Sequence, residues 1–171
     1  MTSYSRPKSA VRLSALLILI SLSTVFTSEA KQAPDSIDVI QSLVPDSLNL
    51  DGKIVYVDFW ASWCGPCRLS FPWMQALYNK YHKGGFEIVA VNVDKDHKAA
   101  LEFMKDMQAS FPVVFDSTGS LAKRYGVDAM PSSFIYGRDG RLVATHQGFA
   151  QDKTDSLDYD ILQLLNKGRT K

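Results

Sequence analysis

Cys64 and Cys67 are the only cysteines in the 171-residue chain, and they close the run Trp60-Ala61-Ser62-Trp63-Cys64-Gly65-Pro66-Cys67. A bridge across so short a loop removes little freedom from the unfolded chain, so the pair is a poor structural staple. A zinc site built on one Cys-x-x-Cys needs two further ligands, and His82, His97 and His146 are scattered without ligand spacing. No metal is expected. The pattern points to redox exchange instead. A cysteine at a helix N-terminus meets unpaired backbone N–H groups and the positive end of the macrodipole, which favour its thiolate. That thiolate attacks a disulfide, and a second thiol one turn deeper then resolves the mixed disulfide. Cys64 takes the role of nucleophile and Cys67 that of resolving thiol. Pro66 gives up an N–H that the first turn leaves unpaired anyway, and Gly65 keeps the approach open.

Such a pair needs a strand before it and a helix after it. Lys53–Phe59 (KIVYVDF) follows the turn signal Asp51-Gly52 and reads as a buried strand, with Asp58 as its one acid. Beyond Cys64, the spacing of Leu69, Trp73, Leu77 and Tyr81 predicts a helix, kinked at Pro72 and stopped by Gly84-Gly85. Phe86–Val93 predicts a second strand. Asp96 caps the next helix, whose stripe is Ala100, Phe103, Met104 and Met107. Phe111–Phe115 is a short strand, and Ser117–Tyr125 a short helix ended by Gly126. Ser132–Tyr136 and Arg141–Thr145 are strands joined by the turn Gly137–Gly140. A last helix carries Leu157, Ile161, Leu164 and Leu165 on one face. Ser36–Val44 fits a short helix or an edge strand equally well. This order predicts an α/β fold, a mixed central sheet sandwiched by helices.

The first thirty residues have a different character. Arg6, Lys8 and Arg12 precede an apolar stretch that begins at Leu13, and Ser28-Glu29-Ala30 places small residues where a signal peptidase reads. Leu13–Phe26 includes three serines and a threonine, and is shorter than the roughly 18 apolar residues that span a bilayer. Residues 1–30 are therefore read as a signal peptide, with an uncleaved anchor as the alternative, and residues 31–171 as one domain working outside the cytoplasm, in the periplasm. Without those thirty residues the chain holds 16 basic and 17 acidic residues, a balance that carries no signal for nucleic acid. The three histidines read as solvated or helix-end groups.

The run from Trp60 to Cys67 resembles the active-site motif of thioredoxins. Asp58 matches their buried aspartate, Pro72 their helix-kinking proline, and Met130-Pro131 their cis-proline loop. The resemblance covers roughly residues 50–165. Between Cys67 and Pro131 lie 63 residues, more than a plain thioredoxin has, and the surplus is one extra helix, Lys98–Gln108, with its flanking strand. An export signal with this central insertion resembles the TlpA/ResA-like branch of thiol–disulfide oxidoreductases. Ser70 departs from it, since many ResA-like members carry Glu there. The resemblance implies that Asp58, its pKa raised by burial, accepts and returns the proton of Cys67. It also implies that Trp63, Gly65 and Pro66 form the docking surface around Cys64. Pro131 is then cis, and the Met130 backbone pairs with an extended substrate segment.

The resulting expectation is a disulfide reductase, monomeric and free of cofactors, acting on disulfide-bonded exported proteins. Apocytochrome c enters as a client by resemblance only. A membrane thiol donor of the DsbD or CcdA type would keep the pair reduced. The Gly-Pro dipeptide is that of thioredoxin, which is strongly reducing, whereas oxidases of the same fold usually carry a histidine there. A thiol peroxidase would need a Pro-x-x-x-Thr-x-x-Cys pattern, and Trp60–Trp63 stand in its place. A non-catalytic binding module would usually have lost a cysteine, and both are present.

Overall fold

The computed structural model describes residues 33–167, so the signal segment expected over residues 1–30 lies outside it. The chain runs α1 (Asp38–Gln41), β1 (Ile54–Trp60), α2 (Gly65–Tyr81), β2 (Phe86–Asn92), α3 (His97–Asp106), β3 (Val113–Phe115), α4 (Ser120–Arg124), β4 (Ser132–Tyr136), β5 (Leu142–Gln147) and α5 (Thr154–Lys167). The strands form one mixed sheet in the order β3-β2-β1-β4-β5. β1 is central, parallel to β2 and antiparallel to β4. β3 extends the parallel side and β5 the antiparallel side. This is the mixed, helix-flanked sheet that the sequence predicts.

Side chains alternate across a strand, and on β1 both sets are buried. Ile54, Tyr56 and Trp60 pack under α2, α3 and α5 with Phe71, Met74, Phe103 and Ile161. Val55, Val57 and Phe59 face the opposite way, onto Ile40 of α1, Leu121 of α4, Tyr125 and Phe134. The open choice over Ser36–Val44 falls to the short helix, preceded by a single bridge rather than an edge strand. Ser36 makes an isolated antiparallel bridge to Arg141, and α1 starts two residues later. The Tyr136 hydroxyl fastens this segment by donating to the Pro34 carbonyl at 3.0 Å.

Two expectations need correction. Leu69 does not belong to the buried face of α2; it is exposed, and Trp73 is only partly covered. The buried row is Cys67, Ser70, Phe71, Met74 and Leu77. A strict four-residue spacing drifts around a helix of 3.6 residues per turn, so a stripe drawn through Leu69 and Tyr81 leaves the core at one end. The helix predicted over Ser117–Tyr125 begins later, at Ser120. The Asp116 carboxylate accepts from the Ala122 N–H at 2.8 Å, and the residues between form a turn.

The inserted segment is joined to the rest through aromatic rings. Phe103 of α3 sits 4.9 Å from both Trp60 and Phe71, centroid to centroid, and the Arg68 guanidinium lies over the Phe103 ring, 4.7 Å from its centroid. Phe111 extends the cluster toward β3. Replacing Phe103 by alanine should therefore destabilise the whole domain, by about 3–5 kcal/mol. Urea unfolding would read this as a lower midpoint with an unchanged slope. A loss below about 1 kcal/mol would mean that α3 packs independently of the core.

Candidate active site

β1 ends at Trp60, and its last carbonyl accepts from the Val93 N–H at 3.0 Å. The next residues turn toward α2, with Cys64 N–H donating to the Ala61 carbonyl at 3.1 Å. This junction is held from the side by Asp94. Its Oδ2 accepts from the Ser62 N–H at 2.8 Å and from Asn92 Nδ2 at 2.8 Å, while its Oδ1 accepts from the Ser62 hydroxyl at 3.1 Å. The Asp94 N–H in turn donates to Asn92 Oδ1. A buried carboxylate so fully supplied with donors fixes the backbone two residues before the first cysteine.

Cys64 is the N-cap of α2 and has extended backbone angles. Its Sγ accepts from the Cys67 N–H at 3.1 Å. The sulfur thus occupies the place usually taken by a Ser or Asp oxygen, where the helix terminus stabilises negative charge. Cys64 and Cys67 are joined as a disulfide. Cys64 is 6 % exposed and Cys67 0 %, so an incoming thiolate reaches the Cys64 sulfur and not its partner. Trp63, 70 % exposed, and the exposed Gly65 and Pro66 surround that point of access. Trp60, four residues before Cys64, is by contrast fully buried. The Ser70 hydroxyl is buried below Cys67 and donates to its carbonyl at 3.0 Å.

Asp58 lies on the face of β1 that carries Tyr56 and Trp60, the face covered by α2 with Cys67 on its buried side. It is 1 % exposed, and among the described residues its Oδ2 has no hydrogen-bond partner. Burial pushes its pKa well above the ordinary carboxylate range. The same burial, joined by the Asp58 charge, raises the Tyr56 phenol. Beside β1, the Met130–Pro131 peptide is cis and leads directly into β4. The Pro131 carbonyl accepts from Gly148 N–H at 2.7 Å, tying the loop to the end of β5. Met130 packs against the same core that contains both cysteines. The residues singled out in the sequence therefore converge on the C-terminal end of β1 and its neighbour β4.

Ser62, Asn92 and Asp94 were not among them. Their signal was a pair of polar residues at the C-terminal end of a buried parallel strand, the edge where open α/β sheets place their sites. His146 also differs from expectation. His82 and His97 do sit at helix ends, but His146 is half-buried within β5. An alternating edge strand directs every second side chain inward, and His146 follows Ala144 onto that side.

A mixed sheet whose central strand delivers a Cys-x-x-Cys to a helix N-terminus, beside a cis-proline that opens the antiparallel neighbour, is a thioredoxin fold. The chain belongs to the redoxin family, which it matches over residues 29–161. It is 36% identical over 122 residues to the thiol-disulfide oxidoreductase ResA of Bacillus subtilis (strain 168), covering 71% of this chain and 66% of that protein. ResA of Bacillus thuringiensis subsp. konkukian (strain 97-27) is 39% identical over 97 residues, covering 57% and 56%. Each match leaves a third or more of the relative's length uncovered. Among solved structures, a thiol:disulfide interchange protein DsbE from Chlorobium tepidum is 45% identical, with a TM-score of 0.66 over 68% of this chain and 82% of that one. StoA from Bacillus subtilis is 28% identical, with a TM-score of 0.56 over 64% and 82%. These likenesses bear out the ResA-like resemblance and the fold read from the sequence.

The state of Asp58 has a thermodynamic consequence. Above its ordinary pKa of 3.8 the unfolded chain holds an ionised aspartate, while the folded protein still keeps the proton. Stability contributed by this group is complete below that value and is lost as pH rises through the elevated folded pKa. Asp58→Asn removes the titration. The variant should match the wild type near about pH 4 and exceed its thermal midpoint increasingly toward about pH 8. Calorimetry of the oxidised proteins would check this, and a pH-independent difference would show that Asp58 is not buried as a protonated acid.

Proposed function

We propose that this protein is a thiol–disulfide oxidoreductase that works outside the cytoplasm, in the periplasm, and reduces disulfides in exported proteins. The observation that carries the reading is the division of the cysteine pair. Cys64 presents its sulfur at a helix N-terminus within an exposed rim, while Cys67 is sealed beneath it. In the reduced state the Cys64 thiolate attacks one sulfur of a substrate disulfide, forming a mixed disulfide and expelling the other sulfur as a thiolate that takes up a proton. Asp58, in its ionised form, takes the Cys67 proton, and Cys67 attacks the Cys64 sulfur. The Cys64–Cys67 disulfide forms, two electrons having passed to the substrate, and the substrate leaves as a thiolate that takes up a proton. Trp63, Gly65 and Pro66 offer the surface on which the substrate lies, and the Met130 backbone beside cis-Pro131 pairs with its extended chain.

The reductive direction is supported by the Gly65-Pro66 dipeptide, which is that of strongly reducing thioredoxin. Cellular reduction then requires a membrane thiol donor of the DsbD or CcdA type. The names of the ResA and DsbE relatives support the exchange chemistry. No helix among the described residues is long and apolar enough to cross a membrane, and residues 1–30 supply the export signal. Buried Ser70, where many ResA-like proteins have Glu, argues for clients broader than apocytochrome c.

Insulin reduction with dithiothreitol tests the activity. The wild type should accelerate precipitation of the insulin B chain, Cys64→Ser should abolish the effect, and Cys67→Ser should accumulate covalent mixed disulfides that name the clients. Equal turnover by Cys64→Ser would remove the catalytic reading. Direction is read separately, by alkylation trapping in cells with an intact membrane donor. Free thiols at Cys64 and Cys67 are expected, and a standing disulfide would mark an oxidase.

A further inference from the structure

Strand pairing sets three polar side chains in one row across the sheet. Asp58 of β1 lies opposite Ser133 of β4, and Ser133 lies opposite His146 of β5. Side-chain alternation puts all three on the face beneath α2 and α5. Tyr56 and Trp60 flank Asp58 there, with Ile135 beyond Ser133 and Ala144 before His146. The row is closed at its inner end, since Asp58 and Ser133 are buried, and opens at the sheet edge, where His146 is half-buried. His146 also borders a surface groove lined by Gly148, Phe149, Ser156 and Leu157.

Both ends of the row hold an unsatisfied atom. Asp58 Oδ2 and His146 Nε2 are buried with no hydrogen-bond partner among the described residues. Leaving such an atom unpaired is costly, and two of them in one register row ask for a functional cause. Between them stand the Ser133 hydroxyl, opposite Asp58 on β4, and the Tyr56 phenol, two residues before Asp58 on the same face of β1. β1 and β5 are two strand spacings apart, roughly 10 Å, too far for one transfer but within reach through the intervening hydroxyls.

We infer that His146 is the solvent end of a proton route serving Asp58 by way of Tyr56 and Ser133, an inference that rests on the exchange chemistry proposed above. When Cys67 gives its proton to Asp58, the acid so formed passes a proton along the hydroxyls, each accepting one and donating another. Neutral His146 receives it at Nε2, becomes imidazolium and releases it to water in the groove. The reverse sequence supplies a proton when the disulfide is reduced. The groups facing Asp58 are Tyr56 on its own strand, Ala90 from β2, Ser133 from β4 and Cys67 from α2. Those acting on His146 are Ser133 from β4 and the Asp160 carboxylate of α5, which partly offsets the lowering of the imidazole pKa by burial. A ring so placed is neutral at neutral pH and free to accept. His146 acts through Asp58 and does not touch the substrate.

Single-turnover reaction of the reduced protein with the chromogenic disulfide dithiobis-nitrobenzoate separates the steps. The first thionitrobenzoate released reports attack by Cys64, and the second reports resolution by Cys67. His146→Gln should slow the second phase roughly tenfold between about pH 6 and pH 8, less than the 10²–10⁴ contributed by a directly acting base. It should leave the first phase unchanged, and added imidazole should restore part of the rate. Ser133→Ala should slow the same phase. In an Asp58→Asn background, His146→Gln should cause no further slowing, because the two act in series. A second phase whose pH profile superimposes on the wild type, or equal slowing in the Asp58→Asn background, overturns the route while leaving the exchange reading intact. A wild type that releases only one thionitrobenzoate overturns both.

Discussion

The structure depends on a carboxylic acid placed in a strand with no water on either face. β1 is buried from Ile54 to Trp60 and hydrogen-bonded on both edges, so nothing on it can ionise without strain on the core. Asp58 turns that cost into a property. Burial raises its pKa, so the group holds its proton where an exposed aspartate would not. The same burial that makes the strand a good central element for the sheet sets the proton affinity of its one acid.

The two faces of the sheet divide the labour. One face holds the redox pair, the acid and the aromatic cluster that binds α3 to α2. The other is scaffold, where Phe59, Tyr125 and Phe134 pack their rings within 5.0–5.7 Å of one another. Tyr136 links this side to Tyr125 and to the N-terminal segment. β2 joins the two functions, since its last residues lead into Asp94, which fixes the turn before Cys64. Trp73 does the same for α5, its indole donating to Asp158 at 2.8 Å.

Much of this was legible in the residues because it rests on local signals. The Cys-x-x-Cys run, the β-branched strands, the Asp96 cap and the Gly137–Gly140 turn each specify structure within a few positions, and each appears where expected. Asp58 was visible as a charge out of place in an apolar run. What escaped notice depends on pairing between distant strands. Ser62 and Asp94 meet across 32 positions, and Ser133 and His146 acquire meaning only from the register of β4 with β1 and β5. Glu87, fully buried beside Lys53 at 2.9 Å, is a similar case, since its sequence context is that of an ordinary strand. Leu69 shows the opposite failure, an apolar residue that periodicity assigned to the core and geometry left outside.

The cysteine pair has one more consequence, for the folding of the chain. Many proteins that form disulfides must search among alternative pairings, and a wrong bridge can hold distant segments together until it is reshuffled. Here the chain has two cysteines, three positions apart, and thus a single intramolecular pairing. Oxidation before, during or after folding produces the same bond and joins no segments that the fold keeps apart. The domain can therefore reach its native structure with its sulfurs in either state.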